Sequence, residues 1–317
     1  MNVRGWILLH IAPFVFPHVI RFTSPIEASP YPASTGITTK IGHKYVFMYL
    51  CMIKSFFFFS GLCPSVCVID DGTLTRIDKR MLRNHVRNIH IIPKSAGQQE
   101  MMGLRQHYPY TYRYHQESHP DLYTHNTCVY DLIQLPAYEK FVVIDADIIF
   151  FRPPTEIIRW LTGDDPTMYF MSFPSRYAAT ALGWGRVILT IFANLWNSRV
   201  PPIFNDGIMC GYKSAFAFSR LEQSIKPIYK YGLEHSWISL VLIWSKLFID
   251  ISTHTQTPIH QLKSNRYRIL TVQSPDTRNS LTKLVCMHYI GIFKDRYFPL
   301  DALRVLKKTK LFTSHYL

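Results

Sequence analysis

The sequence predicts an α/β protein built on an open, mixed but mostly parallel sheet flanked by helices. Three observations predict it. Residues 64–69, a helix from residue 76 and residues 88–92 follow one another as strand, helix and strand, the βαβ unit from which parallel sheets are assembled. The order of elements alternates strand and helix first and becomes mixed later, with no Pro/Gly-rich linker between. The 317-residue chain is 48% hydrophobic and 18% charged, ample for one large core. A single domain over 34–317 is therefore expected.

Each element has a local reason. Residues 1–33 read as an irregular leader or a membrane-contacting segment. The apolar stretch 6–20 contains His10, Pro13, Pro17 and His18, so it is too short to span a bilayer and too interrupted for a signal peptide. Pro25, Pro30 and Pro32 mark extended or turn structure. Residues 36–39 end a first short strand, and 43–59 read as a buried helix despite Lys54. The strand over 64–69 closes on Asp70-Asp71-Gly72. Thr75 then has the character of a helix N-cap, with Asp78 three residues on, for a helix over 76–87. Residues 96–120 are polar and tyrosine-rich, and a surface segment is expected there. A helix over 121–134 leads into a strand ending at Asp145. Pro153-Pro154 stops its extension before a short helix over 155–161. A strand at 168–173 precedes an aromatic-rich insert or lid over 174–204. A strand at 208–211, helices at 215–231 and 234–247, and strands at 268–273 and 283–289 complete the pattern.

The formal net charge is +14, which suits a negatively charged partner: a nucleotide diphosphate, a nucleic acid or an anionic membrane. No nucleic-acid-binding pattern is present, and the one dense basic run is Lys307-Lys308-Thr-Lys310, which argues against nucleic acid. The cysteines at 51, 63, 67, 128, 210 and 286 lack zinc-site spacing. They read as buried free thiols in a reducing compartment, hence a cytoplasmic protein open to peripheral membrane association, with the secretory pathway as the alternative.

Chemistry concentrates in a few short motifs. The apolar run 141–144 ends in Asp145-Ala146-Asp147, and in an extended chain residues i and i+2 face one side. Two carboxylates at a strand's C-terminal end can share a hard divalent cation, Mn²⁺ or Mg²⁺, and through it hold a diphosphate. A lone Asp-x-Asp is weak, and an ordinary solvated strand end would look the same. His288-Tyr-Ile-Gly291-Ile-Phe-Lys294 offers a third metal ligand, a glycine for close backbone approach and a point charge for phosphate. Asn205-Asp206-Gly207 before a brief strand can bond a sugar hydroxyl or form a plain turn. Asp70-Asp71-Gly72-Thr73 can accept bonds from base or ribose hydroxyls, or simply start a helix. Glu234, at a helix start, can contact a sugar or cap the helix. Asp131, on a helix passing under the site, reads as structural support.

In this order and spacing the chain resembles GT-A-fold nucleotide-sugar glycosyltransferases, in particular the family 8-like group. The resemblance spans roughly residues 35–300. Asp145-Ala146-Asp147 is similar to that group's metal-binding Asp-x-Asp, and His288-x-x-Gly291-x-x-Lys294 to its C-terminal His-x-x-Gly-x-x-Lys, where His binds metal and Lys binds diphosphate. Asn205-Asp206-Gly207 resembles its donor-sugar segment, Glu234-His235 its Asp-Gln or Glu-Gln position, and Asp70-Asp71-Gly72-Thr73 the Asp-Gly-Ser/Thr turn of some bacterial members. The chain departs from the pattern at Asp295-Arg296, where Pro-Trp is usual, and at His235, where Gln is usual.

The resemblance implies a Rossmann-like fold and metal-dependent transfer of a hexose from a UDP-sugar to a glycan, protein or lipid-linked acceptor, with retention at the anomeric carbon. Asp206 and Glu234 are then the candidate catalytic residues. Asp70, Asp71, Asp145, Ala146, Asp147, Asn205, Gly207, Gly291 and Lys294 are candidate donor contacts, and Asp145, Asp147 and His288 the metal ligands. A nucleotidyltransferase on a similar fold is the nearest alternative, but residues 36–44 offer only two glycines and two lysines for a phosphate loop. A non-catalytic binding or scaffold protein with a degenerate site is the other.

Overall fold

Strands β2 (Thr35–Ile41), β3 (Ser65–Asp70), β5 (His90–Ile92) and β6 (Lys140–Ile144) are apolar, β-branched runs that lie side by side, all parallel. The computed structural model describes residues 3–116, 130–163, 166–172, 204–232, 237–255, 257–263, 265–270, 281 and 283–309. Beyond β6 the sheet turns mixed. β9 (Phe204–Tyr212) runs antiparallel to β6 and to β8 (Met168–Ser172), and β10 (Ile259–Gln261) runs parallel to β8. The seven-stranded order is β10-β8-β9-β6-β2-β3-β5. Short β1 (Ile26–Glu27) and β4 (Val86–Arg87) pair separately.

A second, three-stranded sheet positions the site. The chain leaves β6, turns through Asp145-Ala146-Asp147, and enters β7 (Ile148–Phe150). β7 pairs antiparallel with β12 (Cys286–Tyr289), which in turn pairs with β11 (Tyr267–Leu270). The register sets His288 opposite Ile148, one residue past Asp147. That pairing closes a sequence gap of some 140 residues.

Helices cover both faces. On one, α2 (Val46–Ser60) buries Tyr49, Leu50, Ile53 and Phe56 against Val66, Val68 and Phe150. On the other, α7 (Phe218–Lys230) and α8 (Trp237–Thr255) pack Leu221, Trp244 and Phe248 against Phe141, Val143 and Phe170. Apolar stripes of this kind are what hold helices to a sheet. α3 (Arg76–His85) begins at a reciprocal capping box: Thr75 Oγ1 accepts from Asp78 N, and Asp78 accepts from Thr75 N. A short α6 (Thr155–Thr162) follows Pro153-Pro154, and α9 (Ile292–Arg296) and α10 (Phe298–Lys308) follow β12.

Two segments differ from the sequence reading. The expected irregular leader contains helix α1 (Val3–Arg21), with Pro13 and Pro17 inside it. Each proline removes a backbone donor, but Ala12, Phe16 and Ile20 bury one face of the helix beside α10, and tertiary packing outweighs the weak propensity. The polar stretch expected at the surface forms α4 (Lys94–Leu104) and α5 (Pro109–Gln116), and α5 is anchored by Glu222, whose carboxylate accepts from Tyr110 N, Thr111 N and Thr111 Oγ1. The helix expected at 121–134 is seen over 130–134, its earlier part lying outside the described residues. The 174–204 insert, apart from Phe204, also lies outside them. Cys51, Cys67, Cys210 and Cys286 are buried free thiols, and Cys63 is exposed.

Candidate active site

Asp145, Asp147 and His288 converge where β6 gives way to β7. The chain there is a turn, Ile148 N donating to Asp145 O at 3.3 Å, and not the extended i, i+2 geometry expected from sequence. Its ends are pinned from both sheets: Asp145 N donates to Gly207 O at 2.8 Å, and Tyr289 N donates to Asp147 O at 3.0 Å. Ala146 packs into the core. His288 Nε2 lies 3.1 Å from Asp147 Oδ1 and 3.4 Å from Asp145 Oδ2. Lys294 Nζ, on α9, lies 2.6 Å from Asp147 Oδ2.

Asn205 and Gly207 orient the imidazole. His288 Nδ1–H donates to Asn205 Oδ1 at 3.1 Å, and the same oxygen accepts from Gly207 N at 3.1 Å. With Nδ1 committed to Asn205, Nε2 is the ring atom that meets the carboxylates: protonated, it donates to Asp147 Oδ1, and deprotonated it would offer its lone pair to a metal ion held between Asp145 and Asp147. A side chain at position 207 would collide with this arrangement, since a Cβ there would stand 2.5 Å from His288 Nδ1. Asn205 is buried, so among the described residues its carboxamide supports the histidine directly. Asp206 lies on β9 between them, its side chain outside what is described. Glu234 lies outside the described residues altogether.

The electrostatics fit a cation. Burial would raise the Asp147 carboxyl, but His288 and Lys294 outweigh it and hold it down at about 2. Burial would lower His288, but Asp147 and Asp145 outweigh that and raise it. Lys294 is likewise raised by Asp147 against its burial. Asp147 Oδ2 is buried and accepts no well-aligned hydrogen bond, the Lys294 ammonium being its counter-ion. Two carboxylates and an imidazole with ligand atoms all within 4.8 Å of one another match the donor set of Mn²⁺ or Mg²⁺. A divalent ion there would supply positive charge to a diphosphate. A proton on His288 competes with it, because the ligand must be neutral.

The remaining site residues take distinct places. Gly291 caps α9 at φ 58° and ψ −135°, a backbone that L side chains avoid, and thereby aims Lys294 at Asp147. Asp70 and Asp71 stand at the C-terminal end of β3. Asp70 accepts from Gly72 N and Leu74 N and pairs with Lys79 at 2.7 Å; Asp71 Oδ1 accepts from Thr73 N and Oγ1. Both carboxylates thus hold the turn. Tyr45, in the 3-10 turn after β2, was not singled out from sequence. Its ring lies 5.1 Å from Lys294 Nζ, a cation–π contact. The available signal was its place after a parallel strand's C-terminal end. Asp131 supports the sheet from below, 2.8 Å from Lys40 Nζ and 2.9 Å from His115 Nε2.

Solved structures share this architecture. Mouse xyloside xylosyltransferase 1 superposes with a TM-score of 0.53 at 10% identity, covering 83% of this chain and 97% of that one. An active-site mutant of LgtC gives 0.53 at 12% identity, covering 86% and 95%. The fold is GT-A. The bifunctional glycosyltransferase WbbM also carries it, with a TM-score of 0.53 at 11% identity over 89% of this chain and 53% of that one. No protein-family model and no curated protein sequence matches the chain. In the GT-A frame the Asp145–Asp147–His288 cluster stands where the parallel strands end, the usual ligand-binding edge of an open α/β sheet.

Proposed function

We propose that this protein is a metal-dependent glycosyltransferase that moves a hexose from a nucleoside-diphosphate sugar, a UDP-hexose in particular, to a glycan acceptor. The observation that carries the reading is the convergence of Asp145, Asp147, His288 and Lys294 from two distant segments. Three metal donors and one fixed cation at a single point suit a departing diphosphate better than a purely structural ion pair. The structures sharing the fold include a xylosyltransferase and a bifunctional glycosyltransferase, which supports transfer as the reaction class.

In this reading Asp145, Asp147 and His288 hold Mn²⁺ or Mg²⁺, and Lys294 leaves Asp147 to pair with the nucleotide's phosphate. Asn205 and Gly207 keep His288 in the tautomer a metal requires. Asp206 and Glu234 are proposed to face the donor sugar and acceptor. The test is hydrolysis and transfer with a panel of nucleotide sugars, by wild type and Asp147→Ala, with and without Mn²⁺. Metal-dependent turnover of one donor, abolished in the variant, is expected. Turnover undiminished in Asp147→Ala would remove the assigned role.

A further inference from the structure

We infer that the protein docks on an anionic membrane surface through the outer faces of α1 and α10. Most helices on a protein's exterior turn charged side chains to water. α1 instead turns large apolar side chains outward, with His10, His18 and Arg21 exposed beside them. Ile11, Phe14 and Val15, spaced as one helical stripe, are 49%, 77% and 39% exposed, and Phe22, just past the end of the helix, is 57% exposed. These four are half of the eight large hydrophobics exposed among the described residues, and a fifth, Phe58, ends the neighbouring helix α2. An apolar stripe this concentrated marks an interaction surface and not scattered exposure.

Charge identifies the partner. No acidic residue precedes Glu27 in the sequence. Arg21 is exposed at the end of α1, its guanidinium over the Phe47 ring. The outer face of the adjacent α10 is basic: Arg304, Lys307 and Lys308 are exposed at helical spacing, with Lys308 Nζ near the Phe59 ring. Apolar and basic outer faces on two packed helices complement a bilayer with anionic headgroups: rings enter the acyl boundary and the Lys307 and Lys308 ammonium groups meet phosphates, Arg304 being paired with Asp301 at 2.8 Å.

The helix lies on the bilayer and does not cross it. Its inner face is already used, Phe16 packing edge-on to Phe298 at 5.8 Å and Ala12 against Leu300, so only one side is available to lipid. Among the described residues, no helix is long and apolar enough to cross a membrane.

The test is co-sedimentation of the full chain with vesicles of phosphatidylcholine alone or mixed with phosphatidylglycerol, across a salt series, alongside light scattering without lipid. Wild type should sediment with the anionic vesicles, less so as salt rises, and little with the neutral ones. Phe14→Ser should lower partitioning about tenfold or more. Lys307→Glu with Lys308→Glu should lower it further on anionic vesicles and flatten the salt dependence, each lost charge being worth about fivefold. All these positions are exposed, so thermal melting should be unchanged and a folding defect would be seen separately. Two results would overturn the inference. One is equal sedimentation of wild type and both variants. The other is a dimer in lipid-free solution that Phe14→Ser converts to monomer, which would make the stripe a contact between copies.

Discussion

Replacing Gly207 by alanine tests how His288 is held. A Cβ at 207 would stand 2.5 Å from His288 Nδ1, 2.8 Å from His288 Cε1 and 2.8 Å from Asn205 Oδ1. Ordinary contact begins near 3.4 Å, so the ring must retreat by close to an ångström. It has no room to do so freely, because His288 is only 3% exposed and sits in the β12–β7 pairing. Retreat stretches the Nδ1–Asn205 bond and turns Nε2 away from Asp145 and Asp147. Disturbing the partner that orients a ligating histidine costs about ten- to a hundredfold in metal affinity. Overpacking the turn adds about 1–3 kcal/mol of destabilisation. Mn²⁺ binding followed by electron paramagnetic resonance separates the two effects, since it reads affinity in the folded fraction. Gly207→Ala binding Mn²⁺ as tightly as wild type would refute the argument that Asn205 and Gly207 set the imidazole.

Other perturbations follow from the same geometry. Lys294→Ala removes the counter-ion of Asp147, and affinity for UDP with Mn²⁺ should fall about ten- to a hundredfold by calorimetry, the range of a charge-assisted bond. Asp131→Asn breaks a buried cluster with Lys40 and His115 and should destabilise by about 3 kcal/mol in urea titration. Burial favours raising the Asp131 carboxyl, but His115 and Lys40 outweigh it and depress it. Its contribution is therefore present above the unfolded value near 3.8 and lost as pH falls through the lower folded value; wild type should lose its advantage over Asp131→Asn in that acid range. Thr75→Ala removes one half of the capping box and should cost about 1 kcal/mol by the same titration.

Much of the fold was legible in the sequence because its signals are local. Buried strands announced themselves as β-branched runs, and the Thr75–Asp78 box fixed the start of α3. α1 was not legible, because Pro13 and Pro17 speak against a helix and only contact with α10 reverses that. α4 and α5 were hidden by polar composition; the anchor of α5, Glu222, lies more than a hundred residues away. The second sheet was hidden too, since β7 is three residues long and pairs with a distant strand.

In the site, Asp145, Asp147, His288 and Lys294 could be named from motif spacing. What spacing could not supply was their connection. Asn205 read as a sugar contact or part of a plain turn; that its carboxamide oxygen accepts from His288 depends on β9 and β12 approaching across two sheets. Asp70 and Asp71 read equally as ligand contacts or as a turn before a helix, and the turn is what their bonds to residues two to nine positions on hold.

Calorimetric titration of UDP into the protein, with and without Mn²⁺, reads whether Asp145, Asp147 and His288 hold a nucleotide through a metal ion. Wild type should bind UDP only with Mn²⁺, and Asp147→Ala should lose that binding. Equal binding with and without the metal, or metal-dependent binding retained in Asp147→Ala, would contradict it.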